Sequence, residues 1–260
     1  MSSDQIVVAE TDLGRAWART LLAVADGPSR KAFHTVTSIA DVTSEDAEVR
    51  KVADEVLSER QLDGVATVAN TLFPAAMAQA EPDPARLGER YLRLLPQLKL
   101  LDPRNNKGTY FQRLVGYNGA SGDPVNQLAE LVRKLGVETA DHVLGPKSAR
   151  YEVGFEQPNA ALPIIEPERD TGAMAFPCLS LLSFQLERRE TLHAVAHYRS
   201  QYLLQRGYGN YLGIAGLMQY VAAAAGLRPG RLTVIAGLAA ADQANRSQLA
   251  RVAEALSQRA

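Results

Sequence analysis

The chain has 260 residues, a length that fits one large domain or two small ones. Hydrophobic residues make up 46% of it, enough for a sizeable core, and the formal net charge of −1 gives no support for a nucleic-acid-binding or membrane-binding surface. The single cysteine, Cys178, excludes a disulfide within the chain. Because the N-terminal stretch also lacks the basic and apolar regions of a signal peptide, we expect a cytoplasmic protein.

Hydrophobic periodicity and capping residues predict a front half that is rich in helices and contains one strand. Asp12 and Ser44 are candidate N-caps, and Gly136 is a candidate helix stop. The predicted elements are a helix over 12–26, a strand over 31–42, helices over 44–60 and 82–101, a turn-rich break over 102–110, and a helix over 123–136.

The sequence pattern of the second half of the chain predicts several strands and one long helix. The apolar run at 211–227 is short for a membrane span and contains Gln219, so we expect a buried helix there. No repeat or long linker divides the chain, which predicts a single α+β domain over residues 1–260. The predicted elements are a strand over 149–158, a loop over 159–174, a hairpin of strands over 176–187 and 191–200, a helix over 209–227, a turn at 228–230, a strand over 231–240, and a helix over 241–258.

Cys178 follows a proline and precedes an apolar run, where a lone thiol is either a small core residue or a nucleophile. Downstream of it stand Arg199-Ser200, then Asn210 at the start of the long helix, then "GLRPG" at 226–230. This order resembles the thymidylate synthase family, which has a Pro-Cys nucleophile, an Arg-Ser pair about two strands later, and an Asn that opens a buried helix ending in Gly-Leu-(Lys/Arg)-Pro-Gly.

The resemblance implies a thymidylate synthase-like fold, with a bent mixed β-sheet, flanking helices and a long buried helix, paired as a homodimer. It extends upstream through "KGTYFQRL", "ADEVLSE", "SRKAF" and "SARYEVGFEQP", which match family segments that carry site residues. The residues that these matches single out are Tyr110, Glu55, Arg30 and Arg150.

The chemistry that the family performs explains why these residue types occur together. A cysteine thiolate adds to C6 of a pyrimidine and makes C5 nucleophilic, and a nearby guanidinium stabilises such a thiolate. The resemblance gives Cys178 this role, and it places the Asn210 amide at the O4/N3 edge of the base. Glu55 is expected to organise the water that moves protons at O4, and Tyr110 is the tyrosine of the catalytic group.

The remaining matches imply a phosphate site. Arg199 and Ser200 are expected to bind the phosphate of the nucleotide, because a guanidinium grips phosphate in a fork. Arg30 occupies the position of the family's arginine-bearing phosphate loop. Arg150 is expected to reach across the dimer interface and to complete the phosphate site of the other subunit.

The sequence also departs from the family. Ala240 and Asp242 replace the histidine and tyrosine that touch the sugar, Tyr202 replaces an aspartate that helps to recognise the base, and the sole tryptophan, Trp17, leaves no counterpart for the paired tryptophans of the folate pocket. We expect Tyr202 and Asp242 to make the sugar and base contacts. Because few residues follow Asp242, we also expect the fold to lack the family's C-terminal strands and lid, which exclude water.

An open site favours water over hydride as the final reactant, so the leading hypothesis is a transferase that hydroxymethylates C5 of a pyrimidine nucleoside monophosphate. The one-carbon donor that the resemblance implies is 5,10-methylenetetrahydrofolate. The alternative is a non-catalytic or folate-independent nucleotide-binding protein of the same fold. His193 and His197 have the spacing of a helical metal pair, but they fall in a predicted strand without an evident third ligand, so no metal site is predicted.

Overall fold

Helices and strands are mixed along the chain, which confirms the α+β class. The structure, a computed structural model, describes residues 5–118, 124–140, 161–166, 170, 177–241 and 244–258. The described residues include two irregular helical segments, a 3₁₀ helix at Pro103–Lys107 and a π-helical turn at Leu203–Gly207. In chain order the elements are β1 (Val7–Glu10), α1 (Leu13–Asp26), β2 (Lys31–Ile39), α2 (Ala47–Glu59), α3 (Val65–Leu72), α4 (Ala75–Ala80), α5 (Pro84–Leu101), α6 (Tyr110–Val115), β3 (Tyr117–Asn118), β4 (Pro124–Val125), α7 (Gln127–Thr139), β5 (Ala161–Pro163), β6 (Leu179–Glu187), β7 (Thr191–Tyr198), β8 (Gln201–Tyr202), α8 (Tyr208–Ala224), β9 (Arg228–Ala240) and α9 (Arg246–Ser257).

Within the described residues, seven strands form a mixed sheet in the order β1-β2-β9-β7-β6-β5, with β8 paired to β9 beyond the end of β7. The pairs β1–β2, β7–β9 and β8–β9 are parallel, and the other pairs are antiparallel. Along β7 and β9, buried side chains alternate with half-exposed ones, as expected for strands with one face on the core. The short strands β3 and β4 form a separate ribbon.

The predicted hairpin is confirmed. Strands β6 and β7 pair from Leu179–Tyr198 to Glu187–Thr191, and Arg188 and Arg189 turn the chain with φ angles of 50° and 60°. Positive φ at two consecutive turn residues matches the twist of a tight hairpin.

The core lies between one face of the sheet and the helices, and α8 is its central element. Most residues of α8 are buried, which confirms the predicted buried helix. The indole of Trp17 on α1 stacks on Tyr208 with ring centroids 5.1 Å apart, and its Nε1 donates to the carbonyl of Leu203 at 2.7 Å. These contacts hold the π-helical turn against α1. No helix in the described part of the chain is long and apolar enough to cross a membrane.

Several boundaries differ from the sequence predictions. Helix α7 continues through Gly136 to Thr139, so the predicted stop is wrong. The segment 228–230 is not a turn, because β9 begins at Arg228 and Pro229 pairs with Leu192. Helices α3 and α4 and strand β1 were not predicted, and β5 lies in the segment predicted as a loop. The strand predicted over 149–158 lies outside the described residues.

Helix α3 crosses α8 at very short range, and two glycines of α8 make this possible. A Cβ at Gly209 would lie 2.4 Å from the Cβ of Val68 and 2.8 Å from the carbonyl oxygen of Val65. A Cβ at Gly213 would lie 2.8 Å from the carbonyl oxygen of Ala69. These distances are shorter than van der Waals contact, so any other residue would push the helices apart.

We predict that Gly209→Ala destabilises the fold by about 1–3 kcal/mol, because the added methyl group overpacks the α3–α8 contact. The matched control is Gly136→Ala in α7, where an added Cβ meets nothing within 4 Å. There the exchange should stabilise the protein by about 0.5–1 kcal/mol through helix propensity alone. Urea unfolding followed by circular dichroism measures both changes, and equal urea midpoints for Gly209→Ala and the wild type would contradict the close-packing argument.

Candidate functional site

A cavity of about 730 Å³ lies between one end of the sheet and the helices α3 to α6. Its sheet side carries Cys178, Ser200 and Tyr202, and its helical side carries Tyr110 and, on the first turn of α8, Asn210. These residues are far apart in sequence. The structure therefore brings half of the predicted site residues to a single cavity.

Cys178 lies directly before β6, and its position follows from the β6–β7 pairing. Its backbone carbonyl accepts the N–H of Arg199 at 2.9 Å, which puts Ser200 next to the thiol, with Oγ 3.5 Å from Sγ. The thiol is half-buried rather than enclosed in the core. The carbonyl of Arg199 lies only 2.9 Å from where a Cβ of Gly237 would be, so the glycine in β9 lets this corner pack closely.

Tyr110 stands at the start of α6, behind the cysteine. Its hydroxyl accepts the N–H of Leu179 at 3.4 Å, and Thr109 caps the helix by accepting the N–H of Gln112. Burial raises the pKa of Tyr110, and the charge of the neighbouring Cys178 raises it further. The phenol therefore keeps its proton at neutral pH and is available as a hydrogen-bond or proton donor.

Asn210 forms the wall of the cavity on α8. It is 6% exposed and follows directly after Gly209, the residue at the closest α3–α8 approach. The rigid crossing fixes the position of its amide, which can donate and accept hydrogen bonds in the cavity.

Only some of the residues that were predicted to bind phosphate line the cavity. Ser200 lines the cavity, whereas the exposed side chain of Arg199 lies outside the described lining and donates from Nε to the carbonyl of Pro177 at 3.2 Å. Arg30 precedes β2 and accepts the N–H of Ala241 with its backbone carbonyl. Because Ala240 pairs with both Lys31 and Tyr202, Arg30 lies at the same end of the sheet as the cavity but not in its described lining.

The structure does not bring Glu55 to the cavity. Helix α2 turns Val52, Val56 and Leu57 toward the core, and Glu55 lies on another face of this helix. There its Oε2 accepts from Nη2 of Arg251 at 2.5 Å. The amphipathic packing of α2 is the physical reason, so the sequence-based role of Glu55 does not follow from this geometry.

Arg150 and Asp242, which were predicted to bind phosphate and sugar, lie outside the described residues. Ala240, at the other position where the family reads the sugar, is buried at the end of β9 and offers no polar side-chain atom.

Several cavity residues were missed by the sequence reasoning, among them Arg206, Asp63 and Gln201. Arg206 lies in the π-helical turn, and its Nη1 is 3.4 Å from Oδ2 of Asp63 in the loop between α2 and α3. Gln201 in β8 is 4% exposed, and its Nε2 has no hydrogen-bond partner among the described residues. The sequence carried no signal for these residues, because the π-helical turn that holds Arg206 and the pairing of β8 are not visible in the sequence pattern.

Arg113 also lines the cavity, but its guanidinium serves the fold. It forms a two-pronged ion pair with Asp170, at 2.5 and 2.9 Å, and donates to the carbonyl of Ile164 at 3.2 Å. Gln127 donates to the carbonyls of Arg113 and Pro163, both at 3.0 Å. This buried network joins α6 and α7 to the segment around β5.

Among the described residues, no group of three or more His, Cys, Asp or Glu side chains is placed to hold a metal ion. No protein-family model matches the chain, and no curated protein matches it.

We predict that Cys178 reacts with iodoacetamide in the folded protein, because its half-buried thiol lines the cavity. The matched control is the double variant Cys178→Ser/Ala215→Cys, which places the only thiol at a fully buried position on α8. Mass spectrometry should show native labelling of the wild type and protection of the control until urea is added. Equal protection of both thiols would make Cys178 a core residue.

Proposed function

We propose that the protein is a transferase that adds a one-carbon unit to C5 of a pyrimidine nucleoside monophosphate, most simply as a hydroxymethyl group, on a thymidylate synthase-like fold. The observation that carries this proposal is the meeting of Cys178, Ser200, Tyr110 and Asn210 in one cavity. Binding alone needs no thiol, whereas activation of C5 does.

The reaction begins with addition of the Cys178 thiolate to C6. The new S–C6 bond uses the thiolate electron pair, and the C5–C6 double-bond pair moves so that the negative charge is shared by C5 and O4. The Asn210 amide faces the O4/N3 edge and stabilises this enolate. After C5 has gained its substituent and lost its proton, the S–C6 bond breaks and the thiolate is restored.

The proton steps need groups close to the thiol. Tyr110 is next to the Cys178–Leu179 backbone, and its raised pKa keeps it a proton donor. Asp63 supplies a carboxylate in the cavity lining, which Glu55 does not. We propose that Tyr110 and a water molecule held by Asp63 exchange protons with the base.

The phosphate is proposed to bind at the mouth of the cavity. Ser200 lines it beside the thiol, and the exposed guanidinium of Arg199 lies just outside it, next to Pro177. The Tyr202 ring, 56% exposed at the cavity lining, offers a surface for the sugar or the base. Its exposure also admits water, which supports hydroxymethylation over reductive methylation.

The helical side of the cavity fits a second, larger substrate. Met77, Tyr91 and Leu98 provide apolar surface, and the amides of Asn70 and Asn105 provide hydrogen-bonding groups. This combination suits a fused heterocycle with a polar edge, such as that of 5,10-methylenetetrahydrofolate. When bound there, this donor would supply the one-carbon unit.

A homodimer is part of the proposal. On the sheet face opposite the core, Val195 and Ile235 are half-exposed, which leaves apolar side chains open to a second copy of the chain. The contribution of Arg150 across this interface stays a prediction.

One observation favours the rival, a nucleotide-binding protein without the reaction. Glu55 is outside the cavity, so the carboxylate that the family resemblance implied is not at the base. The two functions differ in whether the C5 hydrogen exchanges with solvent.

We predict that the wild type releases tritium from a 5-tritiated pyrimidine monophosphate, since thiolate addition at C6 makes C5 basic even without a one-carbon donor. Cys178→Ser should abolish the release while calorimetry still detects nucleotide binding. Equal release by both proteins, or binding without any release by the wild type, would exclude the transferase and favour the rival.

We predict that the protein binds UMP more tightly than uridine and that Arg199→Gln reduces this difference about tenfold, the value of one charge-assisted hydrogen bond. The control is Arg228→Gln, which removes an exposed arginine paired with Glu190 at the start of β9. Calorimetric titrations with both ligands test this. An unchanged UMP preference in Arg199→Gln would remove Arg199 from the phosphate site.

A further inference from the structure

Arg206 brings a guanidinium into the cavity through an unusual backbone turn. The π-helical turn at Leu203–Gly207 leads directly into α8, and Arg206 precedes Asn210 by four residues. Both side chains line the cavity. Single π-helical turns of this kind occur frequently at functional sites, because the wider turn redirects a side chain.

One ion pair and one electrostatic effect place the Arg206 guanidinium in the same part of the cavity as Tyr110. Its positive charge lowers the pKa of Tyr110, against the larger effects of burial and of Cys178, so the guanidinium, the phenol and the thiol occupy one electrostatic neighbourhood. Its Nη1 also pairs with Oδ2 of Asp63, through one contact of 3.4 Å. A guanidinium has five N–H donors in a plane, so the contact with Asp63 uses only part of its donor capacity.

The ion pair between Arg206 and Asp63 is not expected to contribute much to the stability of the fold. The side chains of Arg206 and Asp63 are 40% and 21% exposed, and partly exposed pairs of this kind contribute little to the stability of a protein. Gln201, in the same lining, has a buried amide nitrogen without a partner among the described residues. The partly exposed ion pair and the amide nitrogen of Gln201 both indicate polar groups that can bind a polar ligand.

Addition of the thiolate to C6 moves a full negative charge onto the C4–O4 unit of the base. Asn210 is neutral, and a neutral donor stabilises such a charge less than a guanidinium does. We propose that Arg206 is a further catalytic residue, which stabilises the enolate oxygen alongside Asn210 in the cavity lining. Asp63, which is also proposed to hold the water molecule of the proton steps, positions the guanidinium toward the cavity before the nucleotide binds.

The charge balance of this step is complete. The thiolate loses its charge as the S–C6 bond forms, the C5–C6 electron pair moves, and O4 gains the charge that Arg206 faces. When the S–C6 bond breaks, the charge returns to sulfur. No oxidant or reductant takes part, and Arg206 keeps its proton throughout.

This inference rests on the proposed function, and the test separates the two. Tritium release from the 5-tritiated nucleotide is measured for the wild type, Arg206→Gln, Arg206→Lys, Asp63→Asn and the surface control Arg228→Gln. Nucleotide binding is measured by calorimetry in the Cys178→Ser background, with and without Arg206→Gln, so that covalent addition does not contribute. Circular dichroism verifies that each variant is folded.

We expect Arg206→Gln to lower the release rate about 100-fold, the usual effect of losing one donor to a developing oxyanion, with nucleotide affinity nearly unchanged. Arg206→Lys should recover part of the rate, Asp63→Asn should lower it without changing affinity, and Arg228→Gln should match the wild type. If Arg206→Gln releases tritium at the wild-type rate, Arg206 has no catalytic role. The same holds if its slower release is explained by weaker nucleotide binding. Either result leaves the proposed function intact. Absence of release in the wild type overturns the proposed function and this inference together.

Discussion

The close crossing of α3 and α8 is the contact on which the rest of the site depends. Gly209 and Gly213 let the backbone of α3 approach α8 to distances that no side chain permits. This fixes one wall of the cavity, because Asn210 and the π-helical turn lie on α8 and on its approach. Trp17 secures the turn from the other side through its bond to Leu203. A shift of α8 would therefore move both the amide and the guanidinium away from the cysteine.

The opposite wall depends on the sheet. Backbone pairing of β6 with β7 sets Cys178 beside Ser200, and Gly237 of β9 lets the carbonyl of Arg199 approach. Strand ladders hold such positions more strictly than loops do, since each backbone group has a fixed partner. The thiol and the amide thus sit on two separate rigid elements, with the cavity between them, which is the arrangement that a preorganised site requires.

Features that depend on a local sequence pattern could be predicted, whereas features that depend on packing between distant segments could not. The hairpin and the buried helix were predictable, because alternation and a long apolar run are local signals. Glu55 does not line the cavity, since the direction in which α2 faces is decided by its contacts with the core. The short helix α3 was missed because its eight residues carry little periodicity and Pro74 follows closely. Gly136 failed as a stop because it is exposed on a helix whose other residues favour continuation.

The charges in the cavity show why Arg206 was beyond a sequence reading and why it matters. Nothing in "LLQRG" signals a catalytic arginine, and only the wider π-helical turn and the loop that carries Asp63 define where the guanidinium lies. An unpaired arginine in a half-closed cavity would carry a desolvation cost, which the Asp63 carboxylate offsets. The cavity therefore keeps its cation near the thiol at little cost to folding. A substrate that develops negative charge during the reaction meets a donor that is already oriented, so little reorganisation is needed as the charge forms.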